Sequence, residues 1–339
     1  MRYEAADKNE CESRRKRRRR WLAVAVTTGF GLLVLAEGTA RYGLGLGDPP
    51  LYVADPKIEY LAKPGTYRRF GNLVQVNSRH MRSEEFPERK ATPDELRVMM
   101  MGDSVVNGGA LTDQQDLASQ IVQEQLAAKL DRPVVVGNIS AGSWGPGNLL
   151  AYVDKFGLCD ADVVVLVLNS MDVGDNPSSR SPVGVDPTFP DATPPLAFAE
   201  ALERYVFPKI TGLLSKATLH HNARESSDSP SEQSEQSLDA LTKLCAAITA
   251  TGARQIWIHF PMKSEVEQGL SPAGELLRNT AERCGVPFLT IGETLKDSLR
   301  AGRDPYRPND NIHPNAIGQQ LLADKVIELV RTVLTEPGN

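Results

Sequence analysis

The run Val163 to Leu168 (VVVLVL) is six apolar residues without a break. A strand reads this way when both of its faces are covered, as in a parallel sheet packed between helices. Leu96 to Met101 (LRVMMM), Pro133 to Ile139 (PVVVGNI), 254–260 (RQIWIHF) and the shorter 286–290 give four more strands of the same kind. Helical spacing lies between them, over 114–130, 147–157, 237–251 and 271–284, and a last helix fits 315–334. Strands that alternate with helices predict an α/β fold, a three-layer α/β/α sandwich on a five-stranded parallel sheet of flavodoxin-like type. In such sheets ligands bind at the carboxyl ends of the strands, so the residues after each strand are where chemistry is expected.

Ahead of this domain the chain has a different character. Residues 14–20 are seven consecutive cations, and Trp21 to Ala36 (WLAVAVTTGFGLLVLA) is uncharged. Those sixteen residues rise about 24 Å as a helix, and continuing to Tyr42 supplies the ~30 Å of a bilayer core. Glu37 and Arg41 stand one turn apart in the favourable order. The reading is a basic cytoplasmic tail (1–20) and a transmembrane signal anchor (21–42), with the arginines inside and the main domain outside the cytoplasm. A secretory signal cleaved after Val34-Leu35-Ala36 is the rival, and it exports the domain equally. Residues 43–95, rich in Gly, Pro and charge, read as a linker and irregular extension. Residues 96–339 form the catalytic domain, with an insertion at 173–235 that includes a helix near 196–217 and a low-complexity loop over 226–237.

The whole chain carries −5, but its first 40 residues carry +4, so 41–339 carry −9. An acidic body excludes nucleic acid as the expected partner, and the basic block beside an apolar helix suits a membrane better than a nuclear signal. The four cysteines, Cys11, Cys159, Cys245 and Cys284, match no metal spacing and predict no obligatory disulfide. No metal or cofactor is expected. The sequence is silent on oligomeric state.

Two short segments carry the chemistry. Gly102-Asp103-Ser104 follows the first strand of the domain and displays a serine at the sheet edge. Serine needs a base to become a nucleophile. Asp310-Asn-Ile-His313 precedes the last helix, where an aspartate three residues before a histidine can hold the ring and stabilise its charged form. Ser104 is therefore the candidate nucleophile, His313 the base and Asp310 its orienting partner.

These residues, in this order, resemble the SGNH/GDSL hydrolase family over about 96–334. The resemblance implies ester hydrolysis through an acyl-enzyme on Ser104. It also implies an oxyanion hole that includes the backbone N–H of Gly142, in Asn138-Ile-Ser-Ala-Gly142 after the second strand. The family's third segment, Gly-x-Asn-Asp, is here Asn169-Ser170-Met171-Asp172, so Met171 stands where an asparagine would donate. Methionine donates no hydrogen bond, so either Asn169, the candidate replacement, or Ser170 substitutes from a nearby position, or the hole has only the backbone donors of Ser104 and Gly142. The anchor, followed by Pro-rich sequence and Val76-Asn77-Ser78-Arg79-His80-Met81-Arg82, is similar to membrane-bound SGNH proteins of bacterial envelopes, some of which acetylate exported polysaccharides.

The expected substrate is an acyl ester, acetyl included, of an extracytoplasmic glycan or lipid-like molecule. Transfer of the acyl group to a polysaccharide, or a silent glycan-binding domain, are the alternatives. Other histidines and aromatic residues read as structural. His259 ends a buried strand, and His80 sits in the extension as a solvated loop residue. His220 and His221 lack ligand partners, and Trp144 and Asn148 suit packing at a helix start. Gly108 and Gly109 give the loop beside Ser104 room without completing a phosphate-binding loop.

Overall fold

The computed structural model describes residues 2–178, 180–208 and 230–335. They fall into two compact units, one made of the chain up to Asp48 with the segment that begins at Pro194, the other of the rest.

The larger unit is organised by a five-stranded sheet of β5 (Leu96–Gly102), β6 (Val134–Ser140), β7 (Val163–Leu168), β8 (Arg254–His259) and β9 (Phe288–Thr290). The order is β6-β5-β7-β8-β9 and every pairing is parallel. Residues of alternate parity face opposite sides of a strand. Met99, Met101, Val164, Leu166 and Trp257 enter one apolar layer, while Val98, Met100, Val163, Val165 and Ile256 enter the other. Both layers are buried under helices, which is why these strands are apolar throughout rather than alternating. β5 is the first of the five in sequence yet lies between β6 and β7. The strand order reverses there, and such switch points open a crevice at the carboxyl ends.

The helices follow the sequence periodicity closely, at Ala118–Leu130, Pro146–Phe156, Pro272–Cys284 and Ala316–Thr335. The stretch 226–237 differs from the expected loop. From Pro230 onward it is helix, part of Pro230–Ala250. Polar composition suggested a loop, but proline near the first turn and Glu232 within it both favour a helix start. Ser237 is buried there and its hydroxyl donates to the Asp172 carbonyl at 2.6 Å. Residues 226–229 lie outside the described residues.

The 43–95 segment holds two antiparallel hairpins where irregular chain was expected. They are β1 (Tyr52–Asp55) with β2 (Glu59–Ala62), and β3 (Gly65–Arg69) with β4 (Asn72–Val76). Phe70 and Gly71 turn the second hairpin with φ of 52° and 85°. Positive φ at both positions suits the twist of the flanking strands. Phenylalanine is an uncommon residue there, so the turn is invisible to a search for Asn-Gly or Asp-Gly. In the first hairpin Asp55 Oδ1 accepts from the N–H groups of Lys57 and Ile58, a turn closed by its own side chain.

The smaller unit contains the helix Arg2–Gly38, which continues as a π-helical turn, Thr39–Gly43. The helix over Ser13–Gly43 is long and apolar enough to cross a membrane, and no residue of its apolar 18-residue window is buried. The same unit contains the helix Ala197–Ala201 and its π-helical continuation Leu202–Val206. The remainder of the helix expected over 196–217, from 209 on, lies outside the described residues, as do His220 and His221.

Candidate active site

Ser104 is the first residue of the short helix Ser104–Asn107, directly beyond β5. Asp103 precedes it as the helix cap, its carboxylate accepting from the Val105 N–H at 2.8 Å. Gly102 is required for space rather than for bending. A Cβ there would stand 2.7 Å from the Val167 carbonyl oxygen of the neighbouring strand and 2.7 Å from the Val106 side chain. The glycine lets the strand end and the new helix lie directly against β7.

His313 arrives from the loop before the C-terminal helix Ala316–Thr335. Its Nε2 lies 2.9 Å from Ser104 Oγ, and its Nδ1 lies 2.7 Å from Asp310 Oδ2. The other carboxylate oxygen of Asp310 accepts from the N–H groups of Ile312 and His313. Partial burial raises the Asp310 carboxyl, but those two N–H groups and the imidazole outweigh it, and the group sits below the usual aspartate range. Asp310 is thus ionised, and an anion at Nδ1 keeps the proton there and leaves Nε2 free to accept from the serine.

Three further side chains, none of them a candidate from the sequence, brace the loops around the site. Arg307 donates from Nη2 to the Gly108 carbonyl at 2.6 Å and to Thr112 Oγ1 at 3.0 Å, which ties the histidine loop to the loop after Ser104. Gln319, fully buried in the first turn of the C-terminal helix, donates to the Val105 carbonyl and accepts from the Ala118 N–H, both at 2.8 Å. Arg82, buried behind the site, donates to the carbonyls of Leu73, Asn107, Gly109 and Thr112. Nothing in their local spacing marks these residues, because most of their partners are remote in sequence.

Gly142 follows β6, and its carbonyl accepts a hydrogen bond from the Tyr60 hydroxyl of β2. The N–H groups of Ser104 and Gly142 donate to no acceptor among the described residues. Asn169 is buried and its side chain is largely committed. Its Nδ2 donates to Asp103 Oδ2 at 2.7 Å, its Oδ1 accepts from the Met171 N–H, and its own N–H donates to Asp172. One amide hydrogen of Asn169 remains unassigned. Met171 is 51% exposed, and its thioether has no hydrogen to donate.

Asp103 and Asp172 are both buried. Burial raises the Asp103 carboxyl, opposed by the hydrogen bonds it accepts from the Val105 N–H and the Asn169 amide. Burial again, and then the neighbouring Asp103, push Asp172 well above the usual range.

His259 does not reach the site. It is buried against Ser170 and Glu265, and burial pushes its pKa down to about 4. At neutral pH its ring is uncharged, so its 3.7 Å approach to Glu265 is a packing contact rather than an ion pair. His80 is half-buried with Nδ1 2.7 Å from the Ala62 carbonyl, so it is anchored to β2 and is not the solvated loop residue expected. Trp144 packs in the core beside Tyr60 and Tyr152, and buried Asn148 donates to the Ile58 carbonyl at 2.8 Å.

A comparison with curated protein sequences finds no match. Among solved structures the chain is similar to a two-domain esterase active on acetylated mannans, at 15% identity over 72% of this chain with a TM-score of 0.45. It spans 51% of the length of that esterase. It is also similar to an acetyl xylan esterase, at 14% identity over 69% of this chain and 100% of the other with a TM-score of 0.42. A lipase/acylhydrolase from Enterococcus faecalis matches at 13% identity over 72% of this chain and 99% of the other, again with a TM-score of 0.42. The model of the GDSL-like lipase/acylhydrolase family matches residues 100–321, which span Ser104, Gly142, Asn169, Asp310 and His313. With well over half of its length matched to that model, the chain belongs to the GDSL-like lipase/acylhydrolase family, a family of ester hydrolases.

Proposed function

We propose that this protein is a membrane-anchored carboxylic ester hydrolase that works through an acyl-enzyme on Ser104. The observation that carries the reading is the unbroken relay from Asp310 through His313 to the Ser104 hydroxyl, at 2.7 and 2.9 Å. His313 Nε2 takes the hydroxyl proton as Ser104 Oγ attacks the ester carbonyl. Negative charge then collects on the carbonyl oxygen, where the free N–H groups of Ser104 and Gly142 are the donors, with the remaining amide hydrogen of Asn169 as a candidate third. Collapse expels the alcohol, which takes the proton from His313. Water, deprotonated by the same ring, releases the acid.

The helix that carries the apolar span runs through Ala36 without a break, and Glu37 beyond it is hydrogen-bonded to Ala197 and Phe198. Both features favour a retained anchor over a cleaved signal. With the basic block inside, the hydrolase unit lies outside the cytoplasm. Its substrate in this reading is an acyl ester, acetyl included, of a glycan or lipid-like molecule of that compartment.

A fluorophosphonate probe on the full chain in detergent tests the mechanism, with the adduct located by peptide mass spectrometry. An adduct on Ser104 that disappears in a folded His313→Ala variant is the expected result. A folded wild-type chain that takes no probe would sink the proposal.

A further inference from the structure

Glu37 places a carboxylate at an unusual depth. From Trp21 to Tyr42 the helix rises about 32 Å, which matches the ~30 Å hydrocarbon core and sets Tyr42 at the outer interface. Glu37, five residues earlier, lies about 7 Å on the membrane side of Tyr42. A carboxylate at that level is costly unless it is fully paired. Glu37 has four donors: Arg41 Nε at 3.0 Å, Arg41 Nη2 at 2.8 Å, the Ala197 N–H at 3.1 Å and the Phe198 N–H at 2.9 Å. Two of them are the first backbone N–H groups of the Ala197–Ala201 helix. That helix start therefore sits at the depth of Glu37, and not in the bulk solvent above the membrane.

The rest of the segment is built for that depth. Leu196, Val206 and Phe207 are exposed, at 52%, 38% and 50%, although all three are large and apolar. Leu44 and Tyr42 are exposed in the same unit. Two of the segment's three charges, Glu200 and Arg204, are paired, and the third, Glu203, is exposed. Glu200 is buried, accepts from the Gly47 N–H at 2.6 Å and pairs with Arg204 at 3.2 Å. Exposed apolar side chains beside a paired Glu200 and Arg204, with Glu203 left for the headgroups, are what a segment lying at the headgroup and acyl-chain boundary presents.

We infer that residues 196–207 form a second membrane contact, a foot that lies in the outer leaflet beside the anchor and is covered by lipid acyl chains. The inference rests on the reading of 21–42 as a retained transmembrane helix. It adds a second point of attachment to the membrane, from the insertion after β7.

The test reconstitutes the full chain into phosphatidylethanolamine and phosphatidylglycerol vesicles that contain a phospholipid with a diazirine in its acyl chain. After irradiation, lipid adducts are mapped by peptide mass spectrometry. Adducts on both 21–36 and 196–207 are expected. The double variant Leu196→Glu, Phe207→Glu should lose those on 196–207 while it keeps those on 21–36 and its ester hydrolysis. Adducts on 21–36 alone, or crosslinks between 196–207 of two chains in their place, would overturn the foot and leave the anchor standing. Adducts on neither would overturn the anchor, and the foot with it. Unchanged labelling of 196–207 in the double variant would also overturn the assignment of this face.

Discussion

At the scale of single residues, Asn169 has more to do than a substitute donor would. It holds the buried carboxylate of Asp103, and Asp103 caps the helix that begins at the nucleophile. Removing the Asn169 side chain would leave Asp103 buried with one partner fewer. Asn169→Ala is therefore expected to lower kcat by roughly 10²–10³, the cost of losing one donor from an oxyanion hole or of letting the nucleophile shift. Steady-state kinetics on an activated acyl ester would show it. A variant within twofold of wild type would free Asn169 from both roles. The sequence exposed Asn169 as a polar residue in the right segment, but its partner is 66 positions away, and only folding brings the two together.

At the scale of elements, the N-terminal hairpins extend the site beyond the span matched by the family model. Tyr60 of β2 is buried among Tyr52, Trp144 and Phe189, and its hydroxyl reaches the Gly142 carbonyl. The hydrogen bond fixes the peptide that follows Gly142 and so limits how its neighbour N–H can turn. Tyr60→Phe keeps the ring packing and removes only the hydroxyl. It should reduce kcat roughly tenfold with little change in KM, because donor placement matters most as charge develops on the substrate oxygen. A matched fall in thermal stability with unchanged kcat would make the contact purely structural. The strands and long helices were legible from periodicity. The hairpins were not, because short edge strands in charged sequence lack a continuous apolar run and Phe70-Gly71 is an atypical turn.

At the scale of the molecule, the buried cluster under the third segment links stability to pH. His259 has a folded pKa of about 4 against 6.5 for the free side chain. Between those values the unfolded chain binds a proton that the folded chain refuses, so stability is full above pH 6.5 and falls as the pH drops toward 4. The loss by pH 5 is about 2 kcal/mol from this residue. It should appear as a lower unfolding temperature of the detergent-solubilised chain at pH 5 than at pH 7, and His259→Gln should reduce the difference. Carboxylates held below their usual range, such as Asp310, act only at lower pH, whereas Asp103 and Asp172, raised by burial, take up protons in the folded state and oppose the loss, so the comparison with His259→Gln isolates the histidine. An equal difference in wild type and variant would show that His259 is not excluded from water.

The sequence alone determined the class of fold, the strands, the nucleophile and base as candidates, and the apolar N-terminal span. These are local quantities, carried by runs of side chains or by residues within one turn of each other. The tertiary structure decided the rest. The strand order that puts β5 between β6 and β7, the 2.9 Å approach of His313 to Ser104, the commitment of Asn169 to Asp103 and the bond from Glu37 to the 197–198 backbone all join residues far apart in the chain. Burial and hydrogen-bond geometry exist only once the sheet has brought its carboxyl ends together, and no pattern along the chain encodes them directly.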